Sequence, residues 1–455
     1  MNKIHPYYDI IVVGAGVAGL HCATELGRRW PQKTICILEK YKTFGGRAMS
    51  YSPKYARAKE TGPKCKSLPC ASPIKWEAGA GRIHETHRRT HALLKKHGLH
   101  TVPIGSTLSF MSKPGADPKP NIFESAIVPT LLRPLKCLPT PLLAANTLRQ
   151  LLNRIFGPDR AADLLSWFPY RSEIDTLRAD VALHSLVDGP MVSHTSYSVV
   201  AEGFSELVAR LIADLPSNVI LLGRHDVVDV CRGPITEGSG ATDLTVVYGG
   251  NKKMTLRAGE LCIMAVHSDA LRHIGPFHTY APLKQLKAEP LLRIYMVFPV
   301  GKAGPWFKGL GRIVFPSGLR YMLPIDETKG VIMISYTDGS DTAHYRKYIE
   351  KYGDESAELR DAVMRDVRRW FRDRTVPEPT YTKAHYWSVG ATYWLPSKEG
   401  DSATASPSAL SRRISHPFPQ SLPGLYVCGE SYSPYNQAWV EGALETADAV
   451  LKHLL

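Results

Sequence analysis

Residues 8–20, Y-D-I-I-V-V-G-A-G-V-A-G-L, decide the fold together with Glu39, the acid that closes I-C-I-L-E. Ile10, Ile11, Val12 and Val13 form a short apolar β-branched run of the kind that fills a parallel strand covered on both faces. Gly14, Gly16 and Gly19 follow at G-x-G-x-x-G spacing. That spacing serves a tight turn, a close approach of backbone to a pyrophosphate, and close packing of the next helix on the strand. A second apolar run over residues 34–38 ends at Glu39, twenty positions past Gly19, where a carboxylate accepts hydrogen bonds from an adenosine ribose. Strand, glycine turn, helix and terminal acid together read as a dinucleotide site and leave the identity of the dinucleotide open.

At 455 residues the chain is long for one core and predicts two or three intertwined domains. Apolar content of 44% and charged content of 22% exclude a disordered chain. The 56 Lys and Arg against 42 Asp and Glu give a net charge of +14, a field that attracts anions such as nucleic acid, an acidic protein or an anionic membrane. No window reaches the roughly 18 apolar residues of a membrane span. The N-terminus runs into the first strand without a cleavable signal, and no anchor follows the helical pattern that ends at Leu455. Eight scattered cysteines are expected as reduced thiols in a cytoplasmic setting. Of these, Cys22 and Cys36 read as small buried apolar residues, and Cys65 and Cys70 lack the second Cys or His pair of a zinc site.

After Glu39 the sequence K-Y-K-T-F-G-G-R brings Gly45, Gly46 and Arg47. The glycine pair admits close backbone approach to a phosphate or ribitol, and a guanidinium bonds a pyrophosphate at more than one oxygen. With this run the chain resembles the flavin amine oxidase superfamily, which includes phytoene desaturases and protoporphyrinogen oxidases. The resemblance implies FAD, with Glu39 on the adenosine ribose and Arg47 near the phosphates and flavin. It extends through W-E-A-G-A-G-R-I-H, where Gly79, Gly81 and Arg82 are similar to the third flavin-contacting segment. It returns at Y-S-V-V-A-E-G-F, with Glu202-Gly203 for the usual Gly-Gly, and at N-V-I-L-L-G-R-H-D-V-V-D-V, which puts Val227 at a backbone contact with the adenine. Its most diagnostic run is G-L-Y-V-C-G-E-S-Y-S-P-Y-N-Q-A-W-V-E-G-A-L-E-T-A. There Gly429 and Glu430 are implied at the ribityl-phosphate portion, and Trp439 and Val440 beside the isoalloxazine. Residues 425–428 read as a strand, and those from Ala438 as a helix whose free N–H groups favour negative charge on the reduced flavin.

The implied fold class is α/β, a Rossmann-type FAD-binding domain interleaved with a substrate domain of mixed antiparallel sheet plus helices. The FAD domain is expected in three parts, residues 1–104, 196–276 and 385–455. The substrate domain takes a helical part, 105–195, and a sheet part, 277–384. Residues 85–97, 144–156 and 355–374 read as helices, 50–73 as a basic surface loop, and 105–143 as irregular and proline-rich. His84, His87, His91, His97 and His100 crowd one region, and no metal is expected there.

The implied activity is oxidation of an amine. Hydride passes from its α-carbon to flavin N5, water hydrolyses the resulting imine, and oxygen reoxidises the flavin to give peroxide. Members commonly frame the amine with two aromatic residues. Trp439 takes one place, and the other falls at Thr392, with Tyr393 and Trp394 adjacent. Arg293, in A-E-P-L-L-R-I-Y-M-V-F, stands where many members have a lysine that holds a water at N5, and arginine cannot serve as a general base. Ala391 occupies the position of a flavin-linking cysteine in some members, which implies non-covalent FAD. These departures leave two other readings, a desaturase or isomerase of the same fold, and an FAD-bound structural protein that binds an acidic partner or nucleic acid. The overall resemblance is to amine oxidase-like proteins of bacteria and of large DNA viruses, and a viral source would admit a virion-associated protein.

Overall fold

The apolar run at the start of the chain becomes the middle of a seven-stranded sheet. Strand Tyr7–Val13 lies between Ile35–Glu39 and Met254–Met264 and is parallel to both. Val219–Gly223 extends the parallel part beyond Ile35–Glu39, and Leu425–Val427 pairs with Met254–Met264. Leu244–Tyr248 and Val227–Arg232 continue it as an antiparallel pair. Alternation of side chains divides the first strand between two cores. Ile10 and Val12 pack with the helices Val17–Arg29, Phe204–Ala213 and Val440–Leu454, while Ile11 and Val13 enter the apolar body on the opposite face. All four are at least 96% buried, and each such side chain contributes about 1.5–3 kcal/mol. A computed structural model of the chain describes residues 5–53, 74–105, 107–189, 197–233, 244–249, 253–397 and 406–454. Most of the expected basic loop, with Cys65 and Cys70, lies outside them.

The second seven-stranded sheet runs Tyr381–Trp394, Leu286–Val297, Val331–Asp338, Tyr321–Asp326, Arg312–Val314, Leu108–Phe110 and Lys119–Pro120. It is antiparallel except where Arg312–Val314 meets Leu108–Phe110. Leu292, Ile294 and Met296 point to one face and bury Leu359, Val363 and Val367 of the helix Ala357–Trp370. Arg293 and Tyr295 therefore point to the other face, toward the nucleotide half of the molecule.

Three sequence expectations change. The strand Tyr381–Trp394 runs through the expected boundary at 384/385 and pairs with Leu286–Val297 on both sides of it. The helix expected over 144–156 starts only at Leu148 and runs to Phe156, separate from a shorter helix, Thr140–Ala144, before it. Thr147 forces the break, because its hydroxyl accepts from the Gln150 N–H while the Gln150 side chain accepts from the Thr147 N–H. The proline-rich segment expected to be irregular supplies the last two strands of the second sheet and a helical run over Phe123–Leu132.

Among the described residues no helix is long and apolar enough to cross a membrane. Cys22, Cys36, Cys262 and Cys428 are buried free thiols, as the first pair's apolar setting led us to expect.

Candidate functional site

Two glycine clusters far apart in function but close in sequence meet at the end of the first strand. Gly14 donates to Leu38 O at 2.8 Å, and Gly45 donates to Ala15 O at 2.8 Å, so the G-G-R turn lies against the first turn. Gly16 and Gly45 form a bridge, and a Cβ on Gly46 would sit 3.7 Å from Gly16 Cα. The three fingerprint glycines are not equivalent. Gly14 has φ +101° and a Cβ there would fall 2.5 Å from Ala265 O; on Gly19 it would fall 2.0 Å from Gly14 O. Gly16 has an ordinary φ of −76°, and nothing lies within 4 Å of where its Cβ would be. That open space beside N–H groups at a helix N-terminus fits a pyrophosphate.

Glu39 is buried at the end of its strand, with one carboxylate oxygen accepting from Ala15 N at 2.9 Å and the other from Tyr41 N at 3.0 Å. Each oxygen keeps a further lone pair for a ribose hydroxyl. Val227 begins its strand just after Arg224 and His225, whose N–H groups bond to Tyr41 O and Glu39 O at 3.0 and 2.8 Å. It therefore enters beside the same acid.

Arg47 joins three segments. Its Nη2 lies 2.6 Å from Glu430 Oε1 and its Nη1 donates to Gly390 O at 3.1 Å. Glu430 Oε2 accepts from Ala438 N at 2.9 Å, and Ala438 has φ +67°, a strained value for a residue with a Cβ. The carboxylate thus holds the turn that feeds Trp439 and Val440 into the last helix. Gly429 N donates to Thr446 Oγ1 of that helix at 2.9 Å. The Gly79 segment closes on Arg47, with Ala80 N donating to Arg47 O at 2.8 Å. A Cβ on Gly79 would lie 2.0 Å from that oxygen.

Beyond Gly81 the chain enters an aromatic chamber. The Arg82 guanidinium lies 5.0 Å from the Tyr197 ring centre, 5.3 Å from Tyr170 and 5.8 Å from Trp439. Trp439 stacks on Tyr197 at 5.9 Å and meets His87 edge-on at 4.9 Å. Burial and the neighbouring histidines push His87 down to about 3, so it stands neutral against the indole. Arg293 lies over Tyr336 at 4.9 Å and donates to Glu77 O at 3.2 Å. Tyr170 and Tyr336, 5.3 Å apart, connect the two arginines.

Thr392 and Trp394 lie in the interior beside the loop that leads to Trp439. Both are fully buried, with Thr392 Oγ1 2.9 Å from Ser431 Oγ and the Trp394 indole N–H donating to Ser433 O at 2.9 Å. They anchor the loop leading to Trp439, while Tyr393 between them turns the other way and donates to Glu173 Oε1 at 3.1 Å. Sequence reasoning missed Tyr170, Glu173 and Tyr336, because they stand in stretches without a motif.

Burial, with the Asp338 carboxylate close by, pushes Glu173 up to about 8. A group that ionises near 4.5 when unfolded and near 8 when folded takes up a proton on folding between those values, so stability falls as pH rises through that window. Glu173→Gln is expected to flatten this slope and to melt higher than the parent protein at the alkaline end. Melting curves that stay parallel across the window would overturn the assignment.

Two cavities lie away from this chemistry. One of about 490 Å³ is bordered by Lys136, Arg178, His184 and Tyr435, and one of about 400 Å³ by Arg171, Lys287, Glu289 and Arg346. Neither includes the glycine turn, Arg82 or Arg293, and the chemistry belongs with those.

Residues 150–450 match the family model described as flavin containing amine oxidoreductase, and residues 12–67 match an NAD(P)-binding Rossmann-like domain. No curated protein matches the sequence. Among solved structures, a double mutant of putrescine oxidase from a redesign of its cofactor binding superposes with a TM-score of 0.72 at 13% identity, over 98% of this chain and 99% of that one. Wild-type putrescine oxidase bound to putrescine gives 0.69 at 14% identity, over 98% and 99%. At these identities the likeness establishes a shared fold.

Proposed function

This chain belongs to the flavin containing amine oxidoreductase family, and from that premise we propose that it holds FAD non-covalently and oxidises an amine with oxygen as acceptor. The single observation that carries the reading is the convergence of Gly16, Glu39, Arg47 and Glu430 from opposite ends of the chain on one cradle. A flavin held there would supply the two-electron acceptor for a hydride from the amine α-carbon, with oxygen as the final acceptor.

The protein's part is binding, orientation and charge. Glu39 would hold the ribose, the Gly14–Gly19 turn the pyrophosphate, and Val227 the adenine. Arg47 and Glu430 tie the flavin-side segments together, and the N-terminus of the helix Val440–Leu454 faces negative charge. Trp439 supplies a flat wall for the amine. Arg293 cannot remove a proton, yet two guanidiniums near the reacting centre make it easier for a bound ammonium to lose one. The free amine required for hydride loss then forms without a dedicated base. Putrescine oxidase among the structural neighbours supports an amine as substrate.

Ala391 is 95% buried in the strand Tyr381–Trp394 and offers no thiol for a flavin bond. Acid precipitation is expected to leave the yellow colour in the supernatant, and colour retained by the pellet would refute non-covalent attachment. For the activity itself, anaerobic flavin bleaching and aerobic peroxide release across primary and secondary amines and amino acids are the test. A flavoprotein that stays oxidised with every one of them would reject the reading.

A further inference from the structure

The strand Met254–Met264 lies between Tyr7–Val13 and Leu425–Val427, and both neighbours lead into glycine turns, at Gly14 and Gly429. The residues just past it are held from both sides. Ala265 N donates to Val13 O at 2.8 Å, and a Cβ on Gly429 would lie 3.5 Å from Val266 O. The Tyr432 hydroxyl donates to Val266 O at 2.9 Å, and Ser268 N donates to Ser431 Oγ at 3.3 Å. His267 is thereby fixed between the Gly14–Gly19 turn and the turn that carries Glu430. No motif singles it out.

One bond orients its ring. Nδ1 accepts from Ala270 N at 3.1 Å and caps the short helix Ser268–Leu271. With that lone pair occupied, the neutral imidazole carries its proton on Nε2. Nε2 has no hydrogen-bond partner among the described residues, and the ring is only half-buried. Burial, and next the Arg47 guanidinium, push His267 down to about 4, with Lys40 acting the same way and Glu430 and Asp269 against them. The ring is therefore neutral at pH 7. It also feels charges from both ends of the cradle, since Lys40 follows Glu39 in sequence while Arg47 and Glu430 belong to the flavin-side segments.

A pyrophosphate presents several charged acceptor oxygens. Arg47 is partly committed elsewhere, with Nη1 on Gly390 O and Nη2 on Glu430. A neutral N–H adds a hydrogen bond to a charged oxygen without placing another cation beside Arg47. Resting on the proposed FAD site, we infer that His267 is a further binding residue for the dinucleotide, donating from Nε2 to the pyrophosphate while Nδ1 holds the backbone that orients the ring.

Substitution separates the two roles. Asparagine supplies an acceptor where Nδ1 stands, as a good helix cap, and ends short of Nε2. Glutamine reaches as far as Nε2 and gives up the cap. Without flavin, His267→Asn is expected to melt like the parent and His267→Gln to melt lower. With flavin, His267→Asn should release FAD about 10- to 100-fold faster, the scale of one hydrogen bond to a charged group, and His267→Gln within about threefold of the parent. Release from the diluted, loaded protein is followed by the rise in flavin fluorescence. The flavin-free full-length chain is then titrated with ADP, which contains the pyrophosphate, and with adenosine, which lacks it. ADP should follow the FAD ranking, and adenosine should bind all three proteins alike. Equal FAD release from the parent and His267→Asn, or adenosine weakened as much as ADP, would overturn the inference. If amines bleach the flavin while release is unchanged in His267→Asn, the oxidase reading stands and the His267 contact falls. The expected ranking in a protein that no amine bleaches would do the reverse.

Discussion

Gly16→Ala is expected to yield a folded protein with flavin affinity reduced about 10- to 100-fold, the cost of disturbing hydrogen bonds to a charged ligand group. Gly19→Ala is expected to yield little folded protein at all. The contrast follows from where each Cβ points. At Gly16 the backbone is one that any residue adopts, and the added methyl enters open space where the pyrophosphate would lie. At Gly19 the methyl would stand 2.0 Å from Gly14 O and 3.2 Å from Ala265 Cβ, so the helix must move off the strand. Overpacking a rigid backbone contact of this kind costs about 1–3 kcal/mol and often more. Flavin-to-protein ratio after purification and the melting temperature separate the two effects. Gly16→Ala protein that retains flavin like the parent would show that the pyrophosphate does not sit at that turn. Parent-like melting in Gly19→Ala would disprove the helix packing.

The second large effect is expected at Glu441. This residue is 3% exposed and accepts from Arg89 N, Thr90 N and Thr90 Oγ1 at 3.2, 2.9 and 2.9 Å. Those N–H groups belong to the first turn of the helix Arg88–Lys96, whose preceding residue, His87, gives no side-chain cap. A carboxylate from the last helix thus caps a helix far away in sequence, and its charge matches the positive helix end. Glu441→Leu strands these donors in the interior, at about 1–3 kcal/mol for each buried group left unsatisfied. Glu441→Gln, which keeps one acceptor, should lose less. Because His87 packs on Trp439, the leucine variant should also alter the tryptophan fluorescence. Chemical denaturation reads the stability, and a midpoint unchanged in Glu441→Leu would show that the cap carries no energy.

The nucleotide half of the site is legible in the sequence because its demands fall on the backbone. Gly14 needs a positive φ, Gly19 needs close approach, and Glu39 must end a strand, so the residue types and spacings are narrow. Gly45, Gly46, Arg47, Gly429 and Glu430 are legible for the same reason. The substrate half is not. Tyr170 comes from the helical region, Tyr197 from a short strand, and Arg293 and Tyr336 from neighbouring strands of the second sheet. Aromatic residues at these places obey only volume and contact, which many sequences satisfy. At Trp394, strand alternation and an indole hydrogen bond turn the side chain into the interior, which position beside a motif does not reveal.

By itself, then, the sequence determined that the chain opens on a Rossmann-type strand, glycine turn and helix and that the fold is α/β with mixed sheets and helices. Tertiary structure alone decided that Arg293 has a companion in Arg82 across Tyr170 and Tyr336, and that Thr392 and Trp394 serve as anchors for the loop before Trp439. The reason is physical. Turn and strand requirements act between near neighbours and leave a periodic trace, whereas the neighbours of a buried side chain depend on what the folded chain brings within a few ångströms, and no spacing records that.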